Sequence, residues 1–310
     1  MRKTSVFLVF MLFFFGLAWA AFGADDSAVP ALEEESDQKI NDFSLSGFGE
    51  RGKKTWELSG QSADIFSDVV KLKDITGKVY GKQEDLTLTA ERGDFDKAEG
   101  KVHLEKDVVV TSSGGTKLTT DYLDWDRDKQ TVMTEALVNI ERNNMFTTAT
   151  GAVAKTDLKK VSLNKDVTVE IKPQEGAGQE MAIKDKIVIT CDGPMEIDYA
   201  KNVAVFKTNV KVTQKDLNLY SDIMEVYFIT GGKEEDSGKK QPAAPDMAGS
   251  VGGGKIDRII AKGNVKIERG ENVSYSDEAV FTGVDKKVVL LGKPRLIFYS
   301  QEDLNASFGN

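Results

Sequence analysis

A short phrase recurs along this chain at a nearly constant spacing: a polar pair followed by a valine, set inside an apolar–polar alternation. The copies are KDV at 106–108, KDV at 165–167, TNV at 208–210 and GNV at 263–265. Spaced by that valine and its weaker matches, Val79, Val108, Val138 and Val167 lie 29, 30 and 29 residues apart. Val210 follows after 43, Val265 after 55, and Pro294 of GKPRL after another 29. The two excesses fall on KPQEGAGQEMAIKDK (172–186) and GGKEEDSGKKQPAAPDMAGSVGGGK (231–255), which are rich in Gly and charge and read as an interruption and a flexible loop. A period of about 30 residues describes a stacked array, in which no unit can bury its apolar face alone.

Each unit reads as two strands. In VSLNKDVTVEI, Val161, Leu163, Val167, Val169 and Ile171 share one face, while Ser162, Asn164, Asp166, Thr168 and Glu170 share the other. Lys165 interrupts the apolar side, as Lys106 does one unit pair earlier, which predicts a bend or bulge where the strand crosses the rim of a sheet. The second strand also repeats: LTTDYLDWD (118–126), LYSDIMEVY (219–227) and VSYSDEAVF (273–281), with TCDGPMEIDY (190–199) as a looser copy. No helix-period segment of useful length competes after residue 42, and strand-favouring Val, Ile, Thr, Phe and Tyr dominate the periodic runs. The expected fold is all-β: an elongated antiparallel stack whose two sheets face each other across an apolar interior.

Composition narrows the function. The net charge of −9 argues against nucleic acid, whose binding rests on phosphate neutralisation. One histidine and one cysteine exclude an intramolecular disulfide and zinc sites built on several His or Cys ligands, and leave little for triad chemistry. His103 falls on the opposite strand face from Val102 and Leu104 and reads as a surface residue. No nucleophile elbow, phosphate loop or His-based metal motif is present, and GSVGGGK (249–255) lacks the spacing of a phosphate loop. DWDRD (124–128) is the one carboxylate group worth testing as a glycosidase pair, but Asp is ordinary at a strand end before a turn. No catalytic residue, cofactor or metal is expected. The N-terminus, MRKTSVFLVFMLFFFGLAWAAFGADDS, has a basic start, an apolar run from Val6 to Ala21 and small residues that offer cleavage after Ala20 or Gly23. It reads as a signal peptide, or as a retained inner-membrane anchor. Either places the remainder outside the cytoplasm.

Several runs resemble a known family. IIAKGNVKIERGENVSYSDEAVF (259–281) resembles the repeat of the periplasmic lipopolysaccharide-transport proteins of the LptA, or OstA-like, family. TWELSGQSADI (55–65), LTAERGDFDKAEGKVHLEKDVVV (88–110) and TATGAVAKTDLKKVSLNKDVTVEI (148–171) resemble LptC, with Trp56, Leu58, Ala90 and Gly93 in its Trp-x-Leu and Ala-x-x-Gly segments. On that resemblance the chain divides into a signal peptide or anchor (1–23), an acidic tether (24–42), an LptC-like β-jellyroll (43–172), an insertion (173–186), an LptA-like β-jellyroll (187–300) interrupted by the loop 231–255, and a tail (301–310).

The resemblance implies an open, taco-like jellyroll that stacks end to end with similar modules. It also implies partners: lipopolysaccharide, an inner-membrane ABC transporter, other jellyroll bridge modules and an outer-membrane translocon. Leu104, Val108, Val110, Leu163, Val167, Val169, Phe206, Val210, Val212, Val265 and Ile267 are the expected inward residues, and lining a lipid groove is the role the resemblance gives them. Pattern alone leaves a second reading open, an envelope structural or adhesive β-repeat with a closed core, since a dry core needs the same apolar face. The sheet edges expected from FSLSGFGERGKKTWEL (43–58) and PRLIFYSQ (294–301) are either docking edges or covered ones.

Overall fold

The computed structural model describes residues 36–49, 52–81, 85–126, 129, 131–155, 160–173, 185–229, 255–282 and 287–298. They form the strands β1 (Gln38–Phe48), β2 (Lys54–Ile65), β3 (Val69–Val79), β4 (Leu86–Asp96), β5 (Lys101–Ser112), β6 (Thr116–Asp126), β7 (Thr131–Arg142), β8 (Met145–Lys155) and β9 (Lys160–Ile171). The series continues with β10 (Ile187–Cys191), β11 (Met195–Asp198), β12 (Val203–Gln214), β13 (Leu217–Ile229), β14 (Lys255–Arg269), β15 (Asn272–Thr282), β16 (Lys287–Leu291) and β17 (Arg295–Ile297). Every pairing is antiparallel and, apart from β9–β11, β10–β12 and β15–β17, joins consecutive strands. β10 and β11 share one position, between β9 and β12, and β16 and β17 share another, beside β15. The seventeen strands therefore fill fifteen positions of one open sheet, with β1 and β16–β17 as its edges.

The repeated phrase marks a crease across this sheet. Register shifts fall at Glu105/Val108, Lys207/Val210 and Lys262/Val265, where two residues of one strand oppose one of the next. The extra residues are left-handed: Lys106 and Asp107, Thr208 and Asn209, Gly263 and Asn264 all have positive φ, as does Asp166. Gly, Asn and Asp tolerate that region best, so the polar pair of the phrase is the backbone chemistry of a bulge. The valine that follows turns inward. Val108, Val138, Val167, Val210 and Val265 are all fully buried.

Two expectations need correction. Val79 is not the first copy, since it is 40% exposed near the end of β3. Its place belongs to Ile75 in Lys73-Asp74-Ile75, where Asp74 is left-handed and Ile75 is buried. The acidic tether also ends earlier than residue 42. β1 begins at Gln38 and carries its own left-handed residue, Asp42, ahead of Phe43. Its polar sequence hid it, because an edge strand that is mostly exposed shows no apolar period. Residues 1–23, most of 173–186, nearly all of the loop 231–255 and the tail 301–310 lie outside the described residues.

Candidate functional site

All eleven expected lining residues fall on the same, inward face of the sheet, sorted into three parallel lanes. The crease lane holds Val108, Val167, Val210 and Val265. Each faces a small residue on the next strand: Thr120, Cys191, Ser221 and Ser276. A second lane runs Leu163, Met195, Phe206, Met224, Ala261, Ala279 and Leu290 through consecutive cross-strand pairs, with Leu104 on the same side of the crease in β5. Both lanes are shut, except that the second ends on a half-buried Leu290 beside the edge. Leu163 and Val210 are 1% exposed and Phe206 3%, so these side chains belong to packed core clusters.

The third lane differs. It runs edge to edge as Leu45, Leu58, Gly77, Leu88, Val110, Leu118, Ile140, Thr147, Val169, Ile189, Val212, Leu219, Ile267, Ser274 and Leu296, each paired with the next. It contains Val110, Val169, Val212 and Ile267. Apart from Thr147 and Val169, which are buried, its described members are half-buried or exposed. No charged group interrupts it. At about 4.8 Å per strand it extends over roughly 65–70 Å. Its half-buried apolar members keep part of their surface in water, and burying that surface against another apolar group is worth about 0.8 kcal/mol per CH₂. Alternation alone could not find it, because alternation separates inward from outward and not open lanes from closed ones.

The opposite face is polar. His103 lies there as expected, its Nδ1 2.6 Å from Asp124 Oδ1, in a shallow concavity with Glu91, Glu105, Asp107, Asp121 and Tyr122. Asp126, in the run DWDRD, ends β6, and its carboxylate accepts a hydrogen bond from the Lys129 backbone N–H. The Lys129 ammonium, 2.8 Å away, and then that backbone bond hold it below the usual carboxylate range. Among the described residues no group of three or more His, Cys, Asp or Glu is placed to hold a metal ion. At Glu225 burial pushes the carboxyl up, yet hydrogen bonds from Lys262 (2.7 Å) and Tyr227 (2.9 Å) outweigh it and lower the pKa. Burial pushes the Cys191 thiol up.

Comparison with known families meets this geometry at its midpoint. The family model described as "Lipopolysaccharide-assembly, LptC-related" matches residues 5–172, ending with β9. The chain belongs to the LptC-related lipopolysaccharide-assembly family. A second family model, "LptA/(LptD N-terminal domain) LPS transport protein", matches residues 192–307. This LptC-related chain is thus an LptC-like half continued by an LptA-like half, and both families belong to the lipopolysaccharide-transport bridge.

The join is structural as well as sequential. β9 pairs with β10 and β11, and one buried cluster holds Val167, Val169 and Leu163 together with Cys191, Met195 and Phe206. Among solved structures, the chain is similar to "LptH, the LptA homologous periplasmic component of the conserved lipopolysaccharide transport device from Pseudomonas aeruginosa". Identity is 13%, covering 69% of this chain and 95% of that one, with a TM-score of 0.20. No curated protein matches the chain.

Proposed function

We propose that the chain shields the acyl chains of lipopolysaccharide in the third, half-open lane while they cross the periplasm, and joins similar modules at its two free edges. The observation that carries this is the lane itself. It is uncharged and mostly apolar from Leu45 on β1 to Leu296 on β17, broken only by Gly77, Thr147 and Ser274, so a lipid path would run from edge to edge and on into a neighbouring module. The closed lanes beside it supply rigidity rather than contact.

Both edges are unpaired among the described residues and expose apolar side chains. Ile40, Leu45 and Phe48 are exposed on β1, and Val288, Val289, Leu291 and Leu296 on β16–β17. Unpaired edge strands bind by strand addition. The partners on this reading are an inner-membrane ABC transporter that supplies energy, other jellyroll modules and an outer-membrane translocon. The N-terminal segment directs export and, if uncut, anchors the chain to the inner membrane. The chain itself performs no chemistry.

The test is photo-crosslinking in cells. A photoreactive residue at Val212 or Ile267 should form lipopolysaccharide adducts. One at Lys211, outward beside Val212, should form none. Absence of adducts along the whole third lane would sink the groove and favour a closed structural repeat.

A further inference from the structure

Beside the third lane, on the outward face, lies a second unbroken cross-strand row. It starts at Ser44 on β1 and is small and uncharged as far as Thr190 on β10. From β12 onward its chemistry changes. Lys211 pairs with Tyr220, Tyr220 with Lys266, Lys266 with Tyr275, and Tyr275 with Arg295 on the edge strand β17. Cations stand on β12, β14 and β17, and aromatics on β13 and β15. The Tyr220 ring lies under Lys211 Nζ and Lys266 Nζ at 5.6 Å each, and the Tyr275 ring under the Arg295 guanidinium at 5.1 Å. The ladder stops on an exposed arginine whose far side meets no strand among the described residues.

Direction adds a second constraint. With fifteen alternating positions, β1 and β16–β17 run the same way. β1 of a second copy, laid beside β16–β17 with its apolar face kept on the same side, would therefore pair in parallel, whereas every joint inside the sheet is antiparallel. It would also set Ser44 opposite Arg295.

We propose that the β16–β17 edge selects a different jellyroll module, whose edge strand runs antiparallel to β17 and sets an aromatic side chain opposite Arg295, and rejects β1 of a second copy. Arg295 is the specificity-determining residue of this joint, and the chain adds one unit to a bridge without polymerising on itself. The inference rests on the end-to-end joining proposed above.

The experiment places a photoreactive residue at Val289, outward on β16, in the full chain in its own cells, and sequences the crosslinked peptide. The expected adduct is with another protein. Its aromatic residue should lie five residues N-terminal to the crosslinked position, as Tyr275 stands to Val280 in β15. Arg295→Ser should lower its yield several-fold, and Arg295→Lys should largely retain it, as lysine serves at 211 and 266. An adduct with residues 38–48 of a second copy overturns the proposal. So does a heterologous adduct indifferent to Arg295→Ser, which would leave end-to-end joining standing. No protein adduct at all removes both, while the lipid adducts at Val212 report on the groove independently.

Discussion

Cys191 lies directly opposite Val167 across the β9–β10 joint, a β-branched side chain against a small one. The same pairing recurs at Ile75 with Ala90, Val108 with Thr120, Val138 with Ala149, Val210 with Ser221 and Val265 with Ser276. The lone cysteine is therefore present for its size, as the small partner that lets the creased strands close over the valine. Cys191→Ala should cost only about 1 kcal/mol, on the scale of one lost methylene-sized group. Cys191→Leu overpacks the site and should cost about 1–3 kcal/mol. Urea unfolding of the two variants separates these outcomes. In the native state the buried thiol, its pKa raised, should react with alkylating agents far more slowly than in urea.

The bulge residues give a second expectation. Gly263 has φ +74°, and a Cβ there would sit 2.3 Å from Asp222 Oδ2, the oxygen that accepts a 2.9 Å hydrogen bond from Asn264 Nδ2. Gly263→Ala combines left-handed strain with a clash and should destabilise by about 1–3 kcal/mol. Asn264→Gly keeps the backbone conformation and should stay within about 0.5 kcal/mol. Asn264→Val, β-branched at φ +47°, should approach the alanine variant. Equal losses for Asn264→Gly and Asn264→Val in thermal unfolding would show that the left-handed backbone is not what the position demands.

Much of this crease was legible beforehand, and the reason is local. Lys106-Asp107-Val108 and Lys165-Asp166-Val167 each write a bulge and the buried residue after it in three letters. Lys73-Asp74-Ile75 says the same with isoleucine, which a period spaced on valine alone does not pick out. The third lane was not legible. Val110 and Val108 look alike in sequence, and only the facing strands decide that one stays half open and the other closes. Nor was the Lys211–Tyr220–Lys266–Tyr275–Arg295 ladder, because its members are 9, 46, 9 and 20 residues apart and meet through register.

Acid should weaken the LptA-like half through Glu225. Its folded pKa lies below its unfolded value, so the stabilisation is complete above the unfolded pKa and is lost as pH falls through the folded one. At neutral pH, Glu225→Gln breaks the charge contact with Lys262 and should be less stable than the parent. Below the folded pKa of Glu225 the two proteins should converge. Urea titrations of both at neutral and acid pH test this, and a constant gap across that range would assign the loss to packing rather than charge.

The sharpest contrast lies within one strand. Val265 and Ile267 are two residues apart on β14 and point the same way, but Val265 is 1% exposed and Ile267 is half-buried. A carboxylate at 265 would be buried without a partner, at a cost of several kcal/mol, so Val265→Asp should leave the chain unfolded or aggregated. At 267 the carboxylate can reach water at the open side of the lane. Ile267→Asp should fold with a loss of about 1–2 kcal/mol, mainly the apolar burial forgone. A charge in the middle of the lane would nevertheless confront any acyl chain lying along it. The expected phenotype is a folded, exported protein that no longer supports lipopolysaccharide adducts at Val212. If Ile267→Asp folds and the adducts persist undiminished, the acyl chains do not pass along this lane.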